Sequence, residues 1–289
     1  MISYDTRNWL RLLLSVRGTV LPRIAVRVLI AGVLGVLVSV AADHGTNIAI
    51  AGSVHTLVGV ALGLLLVFRT NASYDRFWEG RRLIGQIVNN ARDLARQSAC
   101  YLDQSSPELR AQAGDLIIAL YATIRRHLRN EREWPELAGR LTPEQLAALA
   151  TVRTPPILVG RWLGALYAAE AAAGRLSEHR LVMLDGAISD HIDFLGGCER
   201  ILRTPVPFAY AHHIKGFLTV FCFTVPLALL PTMGWYTGLA AAVVAYAMFG
   251  IDEIGVEIED PFGYDANDLP LDAIGDGIVT DVEQATRAR

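Results

Sequence analysis

The sequence predicts an all-α membrane protein with four transmembrane helices in two hairpins and a cytoplasmic helical region between them. Two observations carry this prediction. Just over half of the 289 residues are hydrophobic and the mean hydropathy is +0.34, whereas soluble domains of this size sit near or below zero. The excess is concentrated in charge-free runs near the two ends, while the long middle carries helical periodicity and no strand signal.

Crossing about 30 Å of hydrocarbon at about 1.5 Å per residue takes about 20 residues of helix. After an N-terminal cytoplasmic or interfacial segment, residues 1–27, the first hairpin is assigned to residues 28–68. Its first arm, Val28 to Ala42, holds no charge, and Arg23 and Arg27 stand where their heads reach the interface. The turn Asp43-His44-Gly45-Thr46-Asn47 leads to Ile48 through Phe68, whose polar groups are Ser53, His55 and Thr56. The cytoplasmic region takes residues 69–215 and the second hairpin residues 216–251, with Pro231-Thr232-Met233-Gly234 dividing its two arms. An acidic C-terminal cytoplasmic segment, residues 252–289, completes the chain. No basic flank, apolar core and cleavage site open the sequence, so the N-terminus is expected to be retained.

Arginine placement sets the orientation, because basic residues stay on the cytoplasmic side. Arg7, Arg11, Arg17 and Arg23 precede the first span, and Arg69, Arg76, Arg81, Arg82, Arg92 and Arg96 follow the second, while both turns lack basic residues. Both termini and the middle are therefore expected in the cytoplasm.

In the middle, Ile84-Ile87-Val88-Ala91-Leu94-Ala95 and Leu116-Ile117-Leu120-Ile124 recur at helical spacing. Breaks fall at Ser105-Ser106-Pro107, Trp134-Pro135 and Thr154-Pro155-Pro156, and Thr142-Pro143-Glu144 has the form of a capped helix start. A further helix is expected from Ser177 to near Thr204. The absence of Gly and Pro from Arg69 to Tyr74 lets the second span continue as helix beyond the membrane.

Candidate chemistry is sparse. Cys100, Cys198 and Cys222 are far apart and odd in number, which supports neither a disulfide framework nor zinc. His212 and His213 point to different faces, and His179 and His191 are too far apart to share a metal. No nucleophile elbow or phosphate-cradling loop occurs, so no catalytic residue is assigned. With Lys215 the only lysine and a net charge of −3, no polybasic nucleic-acid surface is present. Gly59 and Gly63, four apart, suit close helix packing. Val60, Leu64 and Phe68 fall on one helical edge, a stripe for lipid or core, or for an apolar constriction if copies surround an axis. After the last span come Asp252, Glu253, Glu257, Glu259, Asp260, Asp265, Asp268 and Asp272. Carboxylates about the Asp260-Pro261-Phe262-Gly263 turn suit a hard cation such as calcium. They equally suit a solvated tail or partners for the many arginines.

Several runs together resemble the bestrophin family of ion channels, in its bacterial branch. These are Arg11 to Thr19, Phe68 to Arg82 around Ser73-Tyr74-Asp75-Arg76-Phe77-Trp78-Glu79, Cys198-Glu199-Arg200-Ile201-Leu202 through Tyr210, and Glu259-Asp260-Pro261-Phe262-Gly263. They occur in the family's order and span most of the chain. The resemblance implies a homopentamer with four transmembrane helices per subunit around one axial pore, in the bacterial inner membrane. It places Val60, Leu64 and Phe68 on the apolar neck, and Val182, or alternatively Leu181, on the cytosolic aperture. It also aligns Glu257, Asp260, Asp265, Asp268 and the backbone near Ile2 with a calcium clasp, although Tyr264, Ala266 and Asn267 interrupt the animal members' acidic run. The expected function is passive transport of small monovalent ions, anions or cations, with no cofactor required and with lipid, the ions and other copies of the chain as partners.

Overall fold

A computed structural model describes residues 7–16, 18–46 and 48–287, with only the backbone of Arg11. The described residues are helical, in the order α1 (Trp9–Leu13), α2 (Leu21–Asp43), α3 (Gly52–Tyr101), α4 (Pro107–Leu128), α5 (Pro143–Thr151), α6 (Pro155–Ala172), α7 (Glu178–Arg203), α8 (Phe208–Met233), α9 (Thr237–Glu257) and α10 (Leu271–Arg287). They form two compact units. The first comprises the residues up to Phe77, Thr204–Asp260 and Asp265–Asn267; the second comprises Trp78–Arg203, Pro261–Tyr264 and the residues from Asp268 on.

The first unit holds the membrane-length apolar helices. Long apolar windows lie in α2, in α3 and in the stretch Phe208–Glu257 that contains α8 and α9. Lipid tails are as apolar as leucine, so packing between such helices rests on close contact rather than on hydrophobic exclusion. The α2 and α9 helices approach closely at the point where a Cβ on Gly35 would lie 2.7 Å from the Cα of Gly238. The core around it gathers Ile24 and Ala31 of α2, Leu62 and Leu66 of α3, Leu218, Phe221 and Cys222 of α8, and Ala241, Ala245 and Phe249 of α9. The turn of the second hairpin is displaced from the expected Pro231–Gly234 stretch: α8 continues to Met233, and the chain turns through a short 3-10 segment, Gly234–Tyr236. Gly234 has φ +50°, a conformation that glycine takes at little cost. Pro231 stays in the helix because its missing N–H frees the carbonyl of Leu227, which accepts the N–H of Ile50 at 3.2 Å instead. Ser39 on α2 fastens the same turn by donating to the carbonyl of Gly234 at 3.0 Å.

In the second unit, α4 packs against α6 and α10, and α7 against α6. Its starts follow local chemistry. Ser106 accepts the N–H of Leu109 at the head of α4, and Thr142 forms a full capping box with Gln145 ahead of Pro143. The C-terminal segment, expected only as acidic, forms α10, whose Leu271, Gly275, Ile278 and Val282 are buried. Tyr121 of α4 donates to the carbonyl of Leu271 at 2.8 Å, and Arg140 pairs with Glu283 at 2.7 Å.

Candidate pore-lining residues

The α3 helix runs without interruption through Arg69 to Tyr74, as the absence of breakers there predicts. Its two faces differ. Leu62 and Leu66 are fully buried in the core with Phe221 and Leu218 of α8. Val60, Leu64 and Phe68 project from another edge and stay 70%, 55% and 56% exposed. Polar seats fix the rotation of α3 in its unit. His55 Nε2 lies 2.9 Å from Thr224 Oγ1, and the Tyr210 hydroxyl donates to the carbonyl of Leu65 at 3.3 Å. The two glycines of the small face part company: a Cβ on Gly59 would meet the Phe221 ring at 3.2 Å, whereas Gly63 has nothing within 4 Å. The backbone-to-backbone crossing is at Gly35 and Gly238, which the α3 spacing did not reveal.

Val182, in the first turns of α7, is 69% exposed, while Leu181 is half-buried and Leu184, Ala187 and Ile188 turn into the core of the second unit. Asp185, Gly186, Ser189, Asp190 and Asp193 share the exposed side of α7 with Val182.

The carboxylates in the last turns of α9 and just beyond it meet arginines. Arg69 pairs with Asp252, Arg27 with Glu253 at 3.1 Å, and Arg23 with Asp265 at 2.7 Å and Glu257 at 3.6 Å. Asn267 donates to Glu257 at 2.8 Å and to the carbonyl of Gly18 at 3.1 Å. In the second unit, Arg129 binds Asp272 and also donates to the carbonyls of Phe262 and Gly263, while its guanidinium stacks 3.9 Å from the Tyr264 ring centre. Asp260 belongs to the first unit and Asp268 to the second; Ile2 lies outside the described residues. Among the described residues, no three of His, Cys, Asp and Glu converge to hold a metal ion. Arg23 thus stands against Glu257 and Asp265, two of the carboxylates that the resemblance aligns with a calcium clasp.

Other titratable candidates make packing contacts or are buried. His212 stacks on Phe208 and His213 on Phe217, while His191 is fully buried and burial pushes its pKa down to about 4. Burial, with the nearby Glu79 charge, pushes the Cys198 thiol up to about 12, which leaves it protonated and inert.

Residues 1–284 match the family model described as bacterial/fungal bestrophin protein. The chain belongs to the bestrophin family. A Nostoc relative named a voltage-dependent anion channel-forming protein is 38% identical, over 97% of this chain and 92% of its own. An Escherichia coli protein of the same descriptive name is 32% identical, over 98% of this chain and 93% of its own. A crystal structure of a bacterial bestrophin homologue from Klebsiella pneumoniae superposes with a TM-score of 0.85 at 27% identity, over 91% of this chain and 98% of its own. Bestrophin membership and the apolar helices make this a membrane protein.

Proposed function

We propose that this bestrophin is a passive channel for small monovalent anions. It is a channel and not an enzyme. In this reading five copies surround one axial pore, each contributing four transmembrane helices, with both termini on the cytoplasmic side of the inner membrane. The observation that carries the reading is the stripe Val60, Leu64 and Phe68, three large apolar side chains left exposed along the edge of α3 opposite the buried Leu62 and Leu66. Around a five-fold axis such a stripe forms stacked apolar rings, which hold a pore closed by dewetting and pass ions when widened. Val182, in preference to Leu181, forms a second constriction. The names of the Nostoc and Escherichia coli relatives support the anion assignment. No resident cation takes part, because Arg23 already engages Glu257 and Asp265.

A second reading, permeation by monovalent cations, draws on the acidic side of α7, where Asp185, Asp190 and Asp193 are exposed beside Val182. Liposomes loaded with chloride separate the two readings. Reconstituted protein is expected to release chloride when potassium is shunted by valinomycin. Release of sodium without release of chloride contradicts the anion assignment, and release of neither contradicts a channel.

A further inference from the structure

Phe68 ends the apolar stripe, and the next residue is turned about 100° around α3. That residue, Arg69, is only 2% exposed and donates through Nη1 to Oδ1 of Asp252, itself 3% exposed, in the last turns of α9. Its Nη2 stands 4.0 Å from Oε2 of Glu259, just beyond α9. Glu259 in turn accepts the N–H of Val206 through Oε1 at 2.9 Å, and Arg76 donates both to the carbonyl of Glu259 and to that of Thr204. Gly255 brings α9 close to these groups, since a Cβ there would lie 3.7 to 3.9 Å from Thr70 Oγ1, Arg69 Nε and Ser73 Oγ. Arg69 Nε and Ser73 Oγ are buried without a hydrogen-bond partner among the described residues. The guanidinium is thus firmly held at Asp252 and loosely engaged at Glu259.

We propose that Arg69 is the positioning residue of the neck. Through Asp252 and Glu259 it locks the rotation of α3 at Phe68 to the end of α9 and to the segment entering α8. The physical reason is the difference between the contacts above and below Phe68. Apolar contacts such as Leu62 and Leu66 against Phe221 readjust in small steps, whereas a buried ion pair cannot part without stranding a charge. At the level of Arg69, α3 and α9 therefore move together or not at all. A displacement of the α9 end is delivered to Phe68 as a rotation of its ring. The loose contact to Glu259 leaves the joint room to tighten.

This inference rests on the reading of Phe68 as a neck residue, so its test is arranged to keep the two apart. Single-channel recordings in planar bilayers compare wild type with Asp252→Asn, Glu259→Gln, Arg69→Met, Arg69→Lys, Phe68→Ala and Gly35→Ala. Asp252→Asn is expected to change open probability at least fivefold with an unchanged reversal potential, and Glu259→Gln to change it in the same direction by less. Arg69→Lys, which keeps the charge, is expected to lie closer to wild type than Arg69→Met. Gly35→Ala strains the α2–α9 crossing and is expected to lower the melting temperature with open probability unaltered. Wild-type open probability in both Asp252→Asn and Glu259→Gln overturns the proposal, as does a Gly35→Ala variant that reproduces their gating change. Should Asp252→Asn fail to assemble, Glu259→Gln, which loses only the looser contact, decides alone. Altered gating in Asp252→Asn beside an unaffected Phe68→Ala overturns the neck assignment instead, and wild type without unitary current overturns the channel reading.

Discussion

The guanidinium of Arg23, at the start of α2, donates to a carboxylate oxygen of Asp265 across 2.7 Å and stands 3.6 Å from Glu257. A positive charge built into the chain thus stands against two of the four carboxylates that the resemblance offers to a divalent cation. Calcium is therefore expected to leave both the melting temperature and the open probability of the wild type unchanged up to millimolar concentration. A thermal shift titration and bilayer recordings with calcium and with chelator check this; a rise in melting temperature that saturates with calcium contradicts it.

Truncation of the α3 stripe widens the proposed constriction. Leu64→Ala and Phe68→Ala are each expected to raise unitary conductance or open probability severalfold, because smaller apolar rings leave room for a continuous water column. Both side chains are more than half exposed in the single subunit, so little packing is lost and the fold should hold. Currents identical to wild type in both variants remove the stripe from the pore.

Gly35 and Gly238 fix how closely α2 and α9 pack. A methyl group at either position meets backbone, at 2.7 Å from the Gly238 Cα in one case and at 3.0 Å from the Gly32 carbonyl oxygen in the other. Backbone cannot rotate away as a side chain can. Gly35→Ala is expected to destabilise the membrane unit by about 1–3 kcal/mol. The measurement is the melting temperature in detergent, and an unchanged value shows that the two helices are not held at this distance.

Burial holds His191 neutral, with a pKa pushed from 6.5 down to about 4. Between those values the unfolded chain binds a proton that the folded chain refuses, so stability falls as the pH drops through that window. The loss approaches roughly 3 kcal/mol at its lower edge. Melting curves from pH 7 to pH 4 should show a steeper decline for wild type than for His191→Leu; parallel declines contradict the assignment.

The parts of the fold that were legible in the sequence are those governed by neighbours along the chain. Absence of charge located the apolar helices, Thr142-Pro143-Glu144 marked a capped helix start, and the lack of breakers after Phe68 foretold the long α3. What stayed hidden depends on partners far apart in sequence. The stretch Pro231-Thr232-Met233-Gly234 reads as the turn of the second hairpin because proline is a helix breaker, yet the freed Leu227 carbonyl finds the N–H of Ile50 and the helix continues to Met233. The run Leu271, Gly275, Ile278 and Val282 has helical spacing, a signal that the surrounding acidic residues obscured. Arg69 and Asp252 each stand just beyond an apolar run, which in retrospect marks two opposite charges held at one depth, but nothing local announces the pair.

The reversal potential of the purified protein in a planar bilayer under a tenfold potassium chloride gradient tests the proposed anion channel most directly. A reversal potential near that of chloride is the predicted result. Reversal near the potassium potential, or no unitary current at any voltage, would contradict it.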